Sequence, residues 1–213
     1  GPTWWFSTGE NQPPSKPIIL SAPSFGKSET QLNFSAITTD PEGNDVYYMW
    51  DWGDGSYSNW LGPFGSGQTI KTNHKWDETG KFEIKVKAKD ASHAESYWSK
   101  PVQLILENEP PFVEFVKPIP GAVYFANKLL LPFFITLIIG PLDITVNASD
   151  NISGMNKVEF YIKDMPKNTD PSAPYVWTWN EVVFRLTRFE IKVIVYDNAG
   201  NWDSENISLI KFF

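Results

Sequence analysis

Lys81-Phe82-Glu83-Ile84-Lys85-Val86-Lys87-Ala88-Lys89 alternates strictly: Phe82, Ile84, Val86 and Ala88 fall on one side, and Lys81, Glu83, Lys85, Lys87 and Lys89 on the other. Successive side chains of an extended strand point to opposite faces, so this stretch is predicted to be a half-buried β-strand with one wet face. The pattern recurs where Val158, Phe160 and Ile162 sit between Lys157, Glu159, Tyr161 and Lys163, and where Phe189, Ile191, Val193 and Val195 sit between Arg188, Glu190, Lys192, Ile194 and Tyr196. No segment sustains a 3.6-residue period. The 17 Pro and 14 Gly break the chain into short runs, as an antiparallel all-β protein with many turns requires.

Two Pro-rich stretches mark the joints, Asn11-Gln12-Pro13-Pro14-Ser15-Lys16-Pro17 and Glu107-Asn108-Glu109-Pro110-Pro111. Proline cannot donate to a sheet ladder and holds an extended backbone, so strands are expected to stop there. The predicted organisation is an N-terminal extension over 1–12, a β-sandwich over 13–107 and a second over 108–213. A length of 213 residues suits two immunoglobulin-sized units of ~100 each. Strands are predicted over 17–20, 31–37, 46–52, 57–60, 68–76, 81–89 and 101–107, then over 112–117, 123–126, 133–138, 142–148, 156–163, 175–179, 188–196 and 206–212. The longest apolar run, Leu129 to Ile139, contains Pro132 and covers about half of the ~20 residues a membrane span needs, so it is predicted as buried strand. The start, Gly1-Pro2-Thr3-Trp4-Trp5-Phe6, has neither a charged n-region nor an apolar h-region; any secretory signal is expected to be removed or upstream.

Composition narrows the chemistry. With 41% hydrophobic and 20% charged residues the chain can bury a core, which excludes disorder and coiled coil. The absence of Cys removes disulfides, zinc ribbons, iron–sulfur clusters and thiol nucleophiles, so a metal here must be held by oxygen. A net charge of −7 argues against a nucleic-acid partner, because phosphate binding needs a basic surface.

The first unit resembles a known family. Thr39-Asp40-Pro41-Glu42-Gly43-Asn44-Asp45, Tyr48-Met49-Trp50-Asp51-Trp52-Gly53-Asp54-Gly55, His74-Lys75-Trp76 and Thr79-Gly80-Lys81-Phe82 together are similar to the PKD (polycystic kidney disease) domain. The resemblance implies an immunoglobulin-like sandwich that serves extracellular proteins in spacing, adhesion and protein or glycan contact, without catalysis. Repeats of this kind are common in secreted archaeal proteins. The second unit is similar to another immunoglobulin-like module, through Asn147-Ala148-Ser149-Asp150-Asn151-Ile152-Ser153-Gly154, Lys157-Val158-Glu159-Phe160-Tyr161-Ile162, Pro174-Tyr175-Val176-Trp177-Thr178-Trp179 and Tyr196-Asp197-Asn198-Ala199-Gly200-Asn201. The fold class expected is therefore all-β, two tandem immunoglobulin-like sandwiches behind a short aromatic extension.

Trp50-Asp51-Trp52-Gly53-Asp54 sets carboxylates beside aromatics, as a glycosidase does. Asp54-Gly55 is nonetheless a tight-turn signal and Asp bonds its own backbone in such turns, so a structural role is expected, with the two Trp on opposite faces. With two His and no nucleophile elbow, no enzyme is expected. Asp40, Glu42, Asn44 and Asp45 crowd oxygen ligands around Gly43, and Asp150 and Asp197 follow two strands whose loops can converge; both are candidate calcium sites, each against the plainer reading of a solvated turn. Asn33, Asn147, Asn151 and Asn206 open N-glycosylation sequons, with Asn151 the best placed and Asn147 expected within a strand. Trp4, Trp5 and Phe6 belong to neither sandwich and are expected to be covered, either as the last strand of a preceding domain or by strand addition to a sheet edge of a neighbouring copy.

The function expected is a non-catalytic extracellular structural protein at the cell surface that self-associates, as a filament or sheath subunit. The alternatives are the C-terminal accessory region of a secreted protease or glycosidase, and a glycan-binding adhesin using Trp60, Trp98 or Trp202. Partners are then copies of the chain, cell-surface proteins or glycans.

Overall fold

The computed structural model describes residues 9–213. The chain forms two compact units that divide between Leu106 and Glu107. Glu107 thus belongs to the second unit, whereas the Pro-rich boundary had suggested the first.

The first unit contains β1 (Ile18–Ser21), β2 (Phe25–Gly26), β3 (Gln31–Ile37), β4 (Val46–Asp51), β5 (Leu61–Phe64), β6 (Ile70–Lys75), β7 (Gly80–Asp90) and β8 (Val102–Leu106). They form a three-stranded sheet, β1-β3-β6, and a five-stranded sheet, β2-β8-β7-β4-β5. The second unit contains β9 (Phe112–Lys117), β10 (Ala122–Phe125), β11 (Lys128–Pro132), β12 (Leu137–Ile139), β13 (Leu142–Ser149), β14 (Met155–Ile162), β15 (Met165–Asp170), β16 (Tyr175–Trp179), β17 (Thr187–Asp197) and β18 (Trp202–Phe212). Here the sheets are β16-β13-β9 and β11-β10-β12-β18-β17-β14-β15. Among the described residues no helix is long and apolar enough to cross a membrane.

The alternating strands behave as predicted. Ile84, Val86 and Ala88 of β7 and Ile191, Val193 and Val195 of β17 are fully buried, while their charged neighbours face outward. Each unit has its own core, so each can bury enough apolar area to fold as a sandwich. In the first, Phe34 packs against Trp50, Trp52 and Trp76, and Trp52 stacks on Trp50 with ring centroids 5.2 Å apart. The expectation that Trp50 and Trp52 face opposite ways is corrected: residues i and i+2 share a face, and both are buried.

Three further expectations change. Residues 57–60 make only an isolated bridge at Tyr57, and the strand falls on Leu61–Phe64. Two strands, β2 and β15, carry no alternating apolar signal and were not anticipated. The run Leu129–Ile139 is not one buried strand: β11 lies exposed at the sheet edge, and Phe133 to Thr136 lead into the short β12.

Candidate functional site

The carboxylate of Asp150, in the turn after β13, folds onto its own loop. Its Oδ1 accepts from the backbone N–H of Ile152, Ser153 and Gly154 at 3.1, 2.7 and 2.7 Å. Asp197 ends β17 and does the same for the next turn, taking the N–H of Gly200 at 2.7 Å and of Asn201 at 2.8 Å. Such Asx turns are why Asp-Asn-x-Ser-Gly and Asp-Asn-Ala-Gly-Asn recur as turn chemistry.

The third acid is Glu107, from the segment that leads into the second unit. Its Oε1 accepts from Ser153 Oγ at 2.8 Å, Oε2 accepts from the Glu109 N–H at 2.9 Å, and its carbonyl accepts from Asn201 Nδ2 at 3.3 Å. Carboxylate oxygens of Glu107, Asp150 and Asp197 lie within 4.8 Å of one another. Glu107 and Asp197 are buried, 4% and 2% exposed, and Asp150 is half-buried. Asn201, 3% exposed, donates Nδ2 to Asp197 Oδ2 at 2.9 Å, while its buried Oδ1 has no hydrogen-bond partner. An orphaned buried carbonyl oxygen costs about 1–3 kcal/mol, and beside three acids it adds a neutral oxygen donor to the set.

Burial raises the Glu107 carboxyl above its ordinary value of 4.5, and the Asp197 charge adds to this against the hydrogen bond from Ser153. Among the described residues no Lys or Arg forms an ion pair with any of the three acids. Close carboxylates without a basic partner need a proton or a cation between them, and an all-oxygen set suits a hard ion such as Ca²⁺. The sign of the pH effect follows. Between pH 4.5 and the raised value the native state holds the extra proton, so without divalent ions the second unit should lose stability as pH rises through that window. Denaturant melts in chelator from about pH 4 to 7 should record the decline, and Glu107→Gln should flatten it.

The first unit has a related arrangement closed by a neutral group. Asp90, buried at the end of β7, accepts the Ala94 N–H at 2.9 Å, and its other oxygen takes Asn11 Nδ2 at 2.7 Å. An amide donor stands where the second unit sets Glu107 against Asp197. Asp40 is buried and caps its own turn, accepting the N–H of Glu42 and Asn44, with Oδ2 left without a partner. Glu42 takes the Gln12 N–H at 3.3 Å. The acids Asp40, Glu42 and Asp45 do not converge, and Asn44 is only half-buried; among the described residues the converging group is Glu107, Asp150 and Asp197.

Asp51 and Asp54 are turn residues. Asp51 Oδ1 accepts the Gly53 N–H and Asp54 Oδ1 the Ser56 N–H. His74 Nε2 meets Asp54 Oδ2 at 2.8 Å while its ring stacks on Trp52 at 4.5 Å. Trp60 and Trp98 are half-buried and their faces are occupied: Lys87 Nζ lies 5.5 and 5.1 Å from the two rings, and Lys89 Nζ 4.5 Å from Trp60. A sugar would have to displace these cations. Trp202 is 57% exposed but pairs across the sheet with Tyr196. The sequon residues Asn33, Asn147, Asn151 and Asn206 are all exposed; Asn147 does lie within β13, and its Nδ2 donates to Glu114. Trp4, Trp5 and Phe6 lie outside the described residues.

Comparison with known proteins gives two family matches, to the PKD domain over residues 18–100 and to the bacterial Ig domain over residues 111–193. A stretch of 101 residues, 43% of the chain, is 32% identical to collagenase ColA of Clostridium perfringens (strain 13 / Type A), of whose length it covers only 8%. Among solved structures, the PKD domain of an M14-like peptidase from Thermoplasmatales archaeon SCGC AB-540-F20 is 35% identical, with 46% of this chain and 99% of that chain covered and a TM-score of 0.43. The fibronectin(III)-like modules of Clostridium thermocellum CbhA are 22% identical over 92% of this chain and 93% of theirs, with a TM-score of 0.54, a likeness of fold. PKD and Ig-like domains usually occur in extracellular proteins, and the matched families are typically non-catalytic.

Proposed function

With the first unit a PKD domain and the second a bacterial Ig domain, we propose that the chain is the non-catalytic accessory region of a larger secreted peptidase, holding or presenting protein substrate outside the cell. The observation that carries this reading is the module-sized match to a collagenase, spanning 8% of that protein. The chemistry on the chain agrees with it. Asp51, Asp54, Asp150 and Asp197 each accept backbone N–H groups that close turns, a structural use of these acids. Calcium at Glu107, Asp150 and Asp197 would act as a structural ion, drawing the lead-in segment onto two loops of the same unit. Asn33, Asn147, Asn151 and Asn206 are proposed glycan acceptors on an extracellular surface.

The test is a fusion of the chain to a reporter peptidase. The chain alone is expected to hydrolyse neither peptides nor glycosides. The fusion is expected to raise turnover of an insoluble fibrous protein several-fold over the unfused peptidase, with turnover of a short soluble peptide unchanged. Equal turnover of the fibrous protein with and without the chain would reject the accessory role. Self-association, the other reading, is supported by the exposed Leu129, Leu130 and Leu131 of β11, whose outer edge has no strand partner among the described residues.

A further inference from the structure

The two sheets of the first unit leave a slot between two of their edges. β1 pairs with β3 on one side, and its outer edge, Ile18 to Ser21, has no strand partner among the described residues. β8 pairs with β7 along its whole length, but on its other side it meets β2 only at Ile105 and Leu106. The outer edge of Val102 to Leu104 is therefore open too. Backbone N–H and C=O groups of a strand point alternately to either side, so each edge presents donors and acceptors that no other strand takes up.

The two edges run side by side in the same chain direction. One hollow of about 390 Å³ is lined by Lys16 to Ile19 on one side and by Ser99 to Val102 on the other. The next, also about 390 Å³, is lined by Ile19 to Ser24 and by Val102 and Gln103. Each is within the size range of ligand pockets, and they share Ile19 and Val102, which joins them into one trough between the sheets. Its floor is apolar, since Ile19 and Val102 pack against the core of the unit. Ile18 and Leu20 stand on its rim, 63% and 53% exposed.

Natural edge strands are kept from pairing by charge, Pro or cover. Here Pro17 and Pro101 flank one end and Pro23 the other, but Ile18-Ile19-Leu20-Ser21 and Val102-Gln103-Leu104 between them contain neither Pro nor a charged residue. The charge sits at the mouth instead. Lys16 and Lys100 are the charged residues of the two hollows; both are exposed, and among the described residues neither forms an ion pair. In a chain of net charge −7 this is a basic corner without an acid, complementary to a carboxylate. A free sheet edge takes an extended backbone, and an apolar floor takes every second side chain of it.

We propose that an extended segment of a protein substrate adds as a strand between the open edges of β1 and β8, lays alternate apolar side chains on Ile19 and Val102, and sets an acidic side chain beside Lys16 and Lys100. The inference rests on the accessory reading, in which the chain holds protein substrate, and gives that reading a place on the first unit. Ladder hydrogen bonds read backbone and not side chains, so the slot selects extended segments that carry an acid and not one sequence.

Fluorescence anisotropy on the complete chain tests it, with labelled octapeptides of alternating Val and Thr that carry one Glu at each position in turn. At least one of them is expected to bind saturably. Its binding should weaken about tenfold when the Glu is replaced by Lys, and about tenfold when either alternate set of its amides is N-methylated. The double variant Lys16→Glu/Lys100→Glu, both on exposed positions, should reverse the preference and bind the Lys peptide over the Glu peptide; circular dichroism melts establish that it is folded. Failure of every peptide to bind would overturn the slot. Binding indifferent to N-methylation would overturn strand pairing, and binding indifferent to the charge reversal would overturn the lysine mouth. In the peptidase fusion the double variant should lose most of the gain on fibrous protein. A gain that survives it keeps the accessory reading and rejects the slot as its means, whereas peptide binding without a gain from any fusion rejects the accessory reading and leaves a peptide site of another purpose.

Discussion

Calcium at about 10 mM should raise the melting temperature of the second unit by about 10 °C relative to chelator, and Asp197→Asn should abolish the rise. Extracellular calcium modules bind with Kd near 10⁻⁴–10⁻³ M, so that concentration is about 10–100 times Kd and stabilises a native-only site by about 1.4–2.7 kcal/mol. One kcal/mol shifts a domain of this size by about 4–8 °C. The variant separates a cation site from a merely structural acid. Asn at 197 can still accept the Gly200 and Asn201 N–H groups through its Oδ1, so the turn keeps its cap. It also removes one of two mutually repelling charges beside Glu107. Asp197→Asn should therefore fold in chelator and fail to respond to calcium, the relief of repulsion being offset by loss of the Asn201 Nδ2 bond to Oδ2. The first unit, where Asn11 already donates to Asp90, should melt at the same temperature in both buffers. Calorimetry that records no calcium shift in the second unit would remove the cation from the account.

The sequence made the sandwiches legible because burial on one face writes itself as period-2 alternation, and β7, β14 and β17 carry that pattern over eight to eleven residues. Where both faces are apolar the same logic loses direction. Leu129 to Ile139 reads identically whether it is sealed in a core or laid open at an edge, and only the pairing of β11 with β10 alone decides between them. Strands β2 and β15 exist by ladder pairing with β8 and β14, a tertiary cause with no local signature. The candidate site was half legible for the same reason. Asp150 and Asp197 are visible as turn acids at strand ends, and their loops do converge. Glu107 sits in a stretch whose Pro residues advertise a linker, and its carboxylate joins the cluster through contacts with Ser153 and Asn201, 46 and 94 residues away. An acid predicted with calcium in mind was equally hard to place: Asp40 spends its Oδ1 on the N–H groups of Glu42 and Asn44, a use that the crowding of Asp40, Glu42, Asn44 and Asp45 could not distinguish from cation binding.

In the Trp52-Gly53-Asp54-Gly55 turn, Gly53→Ala should cost about 3 kcal/mol or more and lower the melting temperature of the first unit by about 15 °C or more, while Gly55→Ala costs about 1 kcal/mol. Both glycines have left-handed backbones, φ +75° at Gly53 and +88° at Gly55, so both substitutions incur the strain of an L side chain in that region. They differ in what the added methyl meets. At Gly55 nothing lies within 4 Å. At Gly53 a Cβ would stand 2.7 Å from the Glu83 carbonyl oxygen and 2.8 Å from its nitrogen. That neighbour cannot yield as a flexible side chain would. It is the backbone of β7, held by the Glu83–Gln103 pairing on one side and flanked by Lys85, the partner of Asp51, on the other. Moving the turn away instead would drag Trp52 from its stack between Trp50 and His74 and loosen the His74–Asp54 contact. Either response disturbs close packing that tolerates little displacement. Thermal melts of the two variants decide the cause: a much larger loss for Gly53→Ala assigns the requirement to the close approach of β7, whereas equal losses would assign it to the positive φ alone.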